Sequence, residues 1–99
     1  MKKEDIIKII QSIQVRKYLN RHGIKHISLF WSYLKWQQNK TSDIDLIYEQ
    51  EVNKDIWLEY FTIINYLQKK LWKKIDFVEI KYINKHLKED ILKNKLDII

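Results

Sequence analysis

The amino-acid sequence predicts an α/β (α+β) fold, a small mixed β-sheet covered by helices, and three observations predict it. Segments with a 3.6-residue apolar period alternate with short β-branched and aromatic runs, in the order helix, strand, strand, helix, strand, helix. The 99 residues are too few to divide into two units that each bury enough apolar surface to offset their conformational entropy, so one domain over residues 1–99 is expected. The 45% hydrophobic and 13% aromatic content supplies a packed core in spite of 32% charged residues.

The first helix is expected from Lys3 to about Asn20, as one continuous element. Ile6, Ile7, Ile9, Ile10, Ile13, Tyr18 and Leu19 recur at helical spacing, with Glu4 and Asp5 in the first turn and Arg16, Lys17 and Arg21 near the end. Gly23, the only glycine, stands where a left-handed terminating residue is wanted. HISLFW, His26 to Trp31, reads as a buried strand. Ser32 can cap a short helical turn through Tyr33 and Leu34, and QQNKTS is a polar loop. DIDLIY, Asp43 to Tyr48, is the second strand, with Ile44, Leu46 and Tyr48 on one face and Asp43, Asp45 and Ile47 on the other.

A second long helix is expected from Asp55, where Ile56, Tyr60, Ile63, Ile64, Leu67 and Leu71 form the apolar stripe. Trp57, Tyr60, Tyr66 and Trp72 lie within it or at its end and read as core residues by default, the alternative being that part of this face is an exposed patch for a partner. KIDFVEI, Lys74 to Ile80, is the third strand, in which Ile75, Phe77 and Glu79 alternate with Asp76, Val78 and Ile80. The last helix runs from about Asn84, its cap, to Asn94, with Leu87, Ile91 and Leu92 as apolar edge. The tail LDII can add a short strand or dock on the core.

Charge and composition narrow the partners. The net charge of +6 raises the possibility of a polyanion, but Arg16 and Arg21 are the only arginines and the remaining cations are lysines, alongside abundant Ile and Asn and no alanine. AT-rich codon usage produces such a composition, so the lysines read as solvated surface and nucleic acid is not an expected partner. No apolar run approaches the roughly 20 residues needed to span a bilayer, and MKKEDIIKII carries acids where a signal peptide keeps its hydrophobic stretch, so a cytoplasmic location without a membrane partner is expected. The absence of cysteine excludes disulfides and thiolate metal sites.

Residues at i and i+2 of a strand face the same way, about 7 Å apart at Cα, so Asp43 and Asp45 can converge on the same ions. Paired carboxylates suit two Mg²⁺ ions about 3.5–4 Å apart, the arrangement used for in-line displacement at phosphorus. Asp76 completes the set if its strand lies beside DIDLIY, and can then accept a proton from an attacking hydroxyl. The alternative is that Asp43 is a loop-end aspartate, Asp45 an exposed edge-strand charge that blocks aggregation, and Asp76 another solvent-facing strand residue. His22, His26 and His86 have no metal-like spacing and read as surface or capping residues.

Taken as a unit, LFWSYLKWQQNKTSDIDLIYE resembles the signature of the minimal nucleotidyltransferases, the single-domain branch of the DNA polymerase beta superfamily. That signature is a Gly-Ser pair, a spacer, then Asp-x-Asp, written LFGSYARG followed by SDIDL. Leu29, Phe30, Ser32 and Tyr33 match its first part, and Ser42, Asp43, Ile44, Asp45 and Leu46 its second. KKIDFVEIKYI resembles the later strand whose third aspartate falls on Asp76, and LKEDILKN the closing helix. The chain departs from the pattern at Trp31 and Trp36, which replace glycines, and at Lys35, which replaces arginine.

The resemblance implies a nucleotidyltransferase fold and a Mg²⁺-dependent transfer of AMP from ATP to a hydroxyl. It implies Asp43, Asp45 and Asp76 as metal ligands, with Asp76 activating the acceptor, and Ser32, Lys35 and the backbone at Trp31 as the nucleotide cradle. Members of the branch act as antitoxins beside a helical HEPN-class RNase toxin, whose tyrosine they adenylylate. The alternative expectation is a pseudoenzyme, a protein-binding module in which Trp31 occludes the nucleotide.

Overall fold

The computed structural model describes residues 3–30, 44–51 and 57–99. Helices α1 (Lys3–Ile10) and α2 (Ile13–Arg21) lead into β1 (Ile24–Phe30) and β2 (Ile44–Gln50). A 3₁₀ turn (Trp57–Glu59) opens α3 (Tyr60–Leu71), which is followed by β3 (Ile75–Glu79), a second 3₁₀ turn (Ile80–Tyr82), α4 (Lys85–Asn94) and β4 (Lys95–Asp97). The four strands lie in the order β3-β2-β1-β4, with β1 antiparallel to β2 and β4 and β2 parallel to β3. The α/β class expected from the alternating periodicities is the one found. Among the described residues no helix is long and apolar enough to cross a membrane.

The single first helix is corrected to two. The Ser12 amide and hydroxyl both donate to the Ile9 carbonyl, at 3.2 and 2.7 Å, and the Ser12 carbonyl then receives the Arg16 amide at 2.9 Å to start α2. A serine that bonds its own local backbone competes with the helical ladder, and the break re-aims the chain so that Ile6 and Ile10 of α1 and Val15 and Leu19 of α2 all reach the core. Gly23 terminates α2 as expected, at φ 80°, and its carbonyl receives the Glu51 amide from the end of β2.

The sheet carries a different cluster on each face. Ile27 and Leu29 of β1, Leu46 of β2 and Phe77 of β3 pack beneath α1, α2 and α3. On the other face Phe30 and Ile47 meet Ile91 of α4, with Ile80 and Ile83 beside them. Asn84 caps α4 by accepting the His86 amide at 2.9 Å, as its sequence position suggests. The apolar edge expected of that helix is only partly buried, for Ile91 is 5% exposed and Leu92 47%. The LDII tail does extend the sheet, as β4 against β1, and Ile98 turns into the main core.

The stripe of α3 is as expected for Ile63, Leu67 and Leu71, which are buried. Trp72 is not a core residue. It is 85% exposed and ends α3 at φ 58° and ψ 30°, its amide returning to the Gln68 carbonyl at 2.8 Å. Leu71 already fills the core, and the left-handed reversal after it turns the next side chain outward. A β-carbon in this region costs about 1–2 kcal/mol, which is why glycine is usual there.

Candidate functional site

In the parallel β2–β3 ladder Ile44 lies level with Ile75, Asp45 with Asp76 and Leu46 with Phe77. The apolar members of these pairs enter the main core, so strand alternation sends Asp45 and Asp76 out of the opposite face at neighbouring positions. Both carboxylates are half-buried. Adjacent strands are about 4.8 Å apart, a separation at which two level carboxylates can share a cation. Ile44 N donates to the Lys74 carbonyl at 3.2 Å and locks the starts of the two strands together.

The structure thus brings together two of the three expected aspartates. Asp43 lies outside the described residues, as do Ser32, Trp31, Lys35 and Trp36. Among the described residues no three His, Asp or Glu side chains form a metal-binding group. The pair that is described suits a hard divalent cation: its donors are all oxygen, it sits at the sheet surface, and it is partly withdrawn from water.

Two residues of α3 that sequence reasoning did not single out for this site brace Asp76 from behind. The Gln68 Oε1 accepts the Ile75 amide at 3.1 Å, and the Tyr60 hydroxyl donates to the Phe77 carbonyl. These bonds fall on the two residues flanking Asp76, along an edge strand whose backbone groups would otherwise face solvent. Burial, and then the negative charge of Asp76, push the Tyr60 hydroxyl above the ordinary tyrosine value. The only sequence signal was the spacing of Tyr60 and Gln68, eight residues apart and hence on one side of a helix.

The same sheet face continues toward β4. Ser28 lies level with Ile47 on one side and Asp97 on the other, and its buried hydroxyl donates to Asp97 Oδ1 at 2.7 Å. Lys95 Nζ also donates to Asp97, and these bonds, that from Lys95 foremost, hold the Asp97 carboxyl below its usual value. A cavity of about 420 Å³ opens beside them, lined also by His26, Glu49 and Ile80. The histidines serve local structure: His22 Nδ1 lies 2.7 Å from Glu59 Oε2, His26 Nδ1 lies 3.2 Å from the Ile99 carbonyl, and His86 is exposed at the start of α4.

A mixed sheet backed by helices, with level aspartates on parallel strands, is the framework of a nucleotidyltransferase. Residues 13–99 match the family described as Polymerase beta, Nucleotidyltransferase, and the chain belongs to that family. One relative, a candidate protein adenylyltransferase of Methanocaldococcus jannaschii, is 35% identical over 79 residues, spanning 74% of this chain and 79% of its own. Another candidate protein adenylyltransferase of the same organism is 34% identical over 94 residues, spanning 90% and 91%. Among solved structures, a candidate minimal nucleotidyltransferase superposes with a TM-score of 0.64 at 19% identity, over 95% of this chain and 89% of that one. A mutant form of the toxin–antitoxin MntA–HpeT superposes with a TM-score of 0.61 at 19% identity, over 100% of this chain and 73% of that one. At that identity these two structures speak for the fold alone.

Proposed function

We propose that this nucleotidyltransferase moves AMP from ATP to a protein hydroxyl, a tyrosine of a HEPN-type toxin, and thereby acts as an antitoxin. The level placement of Asp45 and Asp76 on parallel strands is the observation that carries the reading. The relatives named as candidate protein adenylyltransferases support the protein acceptor, and the likeness in fold to a toxin–antitoxin structure supports the class of partner.

Asp45 and Asp76, joined by Asp43, would hold Mg²⁺, which supplies neutralisation of the charge on the transferring phosphoryl group. Asp76 takes the proton of the acceptor hydroxyl. The freed oxygen bonds to the α-phosphorus while the bond from that phosphorus to the oxygen bridging to the β-phosphate breaks, and pyrophosphate leaves. Ser32 and Lys35 would hold the phosphates, Lys35 as a point charge where arginine would offer a fork. The half-buried setting of the two described aspartates strengthens their interaction with charge relative to open water.

The test is incubation of the full chain with ATP labelled at the α-phosphate, Mg²⁺ and the protein encoded by the neighbouring gene. Label is expected on the partner's tyrosine, lost by at least a hundredfold in Asp45→Asn and Asp76→Asn. Absence of label at high enzyme concentration, with partner binding retained, would overturn the transfer in favour of a binding module. Recovery of transfer in Trp31→Gly would then assign the loss to the bulky residue in the phosphate cradle.

A further inference from the structure

We infer that Trp72 and the lysines around it form a binding site for single-stranded nucleic acid. The segment Gln68 to Ile75 reads QKKLWKKI, so four of the six residues 69–74 are lysines and the segment contains no acid. Lys69, Lys73 and Lys74 are exposed around the exposed indole. Lys70 instead reaches Gln14 Oε1 at 3.1 Å and lies 5.5 Å from the centre of the Tyr66 ring, tying the patch to α2.

Two independent features of Trp72 are unfavourable to the folded chain taken alone. Its backbone occupies the left-handed region at φ 58°, and its large apolar ring stands in water at 85% exposure. Glycine would relieve both. Strained positions held in place by the surrounding structure gather at ligand sites, and here the strain turns an aromatic face outward next to exposed lysines.

The chemistry selects the ligand. An indole stacks on any nucleobase, ammonium groups beside it pair with the flanking phosphates, and only a single strand offers its base faces, since a duplex buries them. An anionic membrane surface would call for a continuous apolar face. The other exposed large apolar residue of this helix, Phe61, sits at its far end, about 16 Å away along the axis, with Leu58 beyond it in the preceding 3₁₀ turn, so α3 has no such face. The patch abuts the Asp45 and Asp76 site, because Lys74 supplies the carbonyl that receives the Ile44 amide at the start of β2.

The experiment is fluorescence anisotropy of labelled single-stranded oligouridylate and oligothymidylate, about twelve nucleotides long, with the full chain at about 50 to 200 mM salt and no nucleotide or metal. Because neither ATP nor acceptor is present, the result is independent of the transfer reading. Binding is expected to weaken with salt, and Trp72→Gly is expected to lower affinity roughly tenfold. The melting temperature of that variant should stay level or rise, which separates a lost stacking surface from a lost fold. Lys73→Gln combined with Lys74→Gln should reduce the salt slope by about 1.4. No binding at low salt, unchanged affinity in Trp72→Gly, or equal competition by duplex or polyglutamate would overturn the site. So would Trp72-dependent retention on anionic vesicles by a protein that ignores the oligomers.

Discussion

Asp45 and Asp76 stand level in the parallel β2–β3 ladder, two like charges leaving one sheet face side by side. Like charges directly opposite one another oppose pairing of their strands, and a bound divalent cation reverses that term. A ligand that binds the folded chain and not the unfolded one stabilises by about 2.7 kcal/mol at a hundred times its dissociation constant. Mg²⁺ is therefore expected to raise the melting temperature by several degrees at constant ionic strength, and Asp45→Asn to lose most of that rise. Thermal unfolding with Mg²⁺, with chelator and with matched NaCl measures it. An equal rise in the variant would remove this pair from metal binding.

The braces on β3 make a separate prediction. Tyr60 and Gln68 bond the backbone at Phe77 and Ile75, the residues on either side of Asp76, and neither side chain needs to touch a nucleotide. Tyr60→Phe and Gln68→Ala should each cost about 1 kcal/mol of stability. On the proposed mechanism they should lower kcat for AMP transfer by about tenfold while KM for ATP holds, since displacing Asp76 from the acceptor hydroxyl affects the reacting geometry more than ground-state binding. The raised Tyr60 hydroxyl has its own pH signature: its stabilisation is full below the ordinary tyrosine value of 10.0 and is lost as pH rises through the higher folded value. Unfolding between about pH 9 and 12 should therefore be less alkali-sensitive in Tyr60→Phe than in the parent chain.

Strand alternation was enough to place Asp45 and Asp76 on outward faces of their strands, because Ile44, Leu46, Ile75 and Phe77 have to be buried. That the two strands are neighbours, parallel and in level register is a tertiary fact, decided by the crossover through α3 and its packing. The break at Ser12 was hidden because the isoleucine period runs on through Ile13, while the competing hydroxyl bond depends on geometry. Trp72 was misjudged for a related reason: apolar character argues for burial, but the left-handed turn after Leu71 sets the direction of the side chain first. Tyr60 and Gln68 were invisible as braces since their partners are backbone atoms of a strand that only the fold brings near.

Leu67 and Phe61 lie six residues apart on α3 and should respond to truncation in opposite ways. Leu67 is 0% exposed and packs in the main cluster, so Leu67→Ala leaves a cavity and should cost about 2–5 kcal/mol. Against a total of about 5–15 kcal/mol that is a large fraction of the stability. Phe61 is 75% exposed, and Phe61→Ser should change stability by less than about 0.5 kcal/mol. Urea unfolding of both variants checks the assignment. A large loss for Phe61→Ser would mean that its ring is covered in solution.

The Ser28–Asp97 bond joins β1 to the three-residue strand β4, beside the backbone bonds that tie Ile98 and Ile99 to Ile27. The Asp97 carboxyl is held below its ordinary value by Lys95 and then Ser28, so the stability it lends is present above about pH 4 and is lost as pH falls through the folded value. Its side chain is 70% exposed, which screens the ionic part to a few tenths of a kcal/mol. Ser28 is 6% exposed, and in Asp97→Ala its hydroxyl loses its acceptor, for a larger cost of about 1 kcal/mol. Asp97→Asn keeps an acceptor oxygen and removes only the charge. Urea midpoints at pH 7 should therefore fall in the order parent, Asp97→Asn, Asp97→Ala. The gap between parent and Asp97→Asn should narrow as pH falls below about 4 and close in about 1 M NaCl, while the Ala variant stays below both. A gap between parent and Asp97→Asn that persists undiminished in about 1 M NaCl would show that packing, not charge, holds β4 in place.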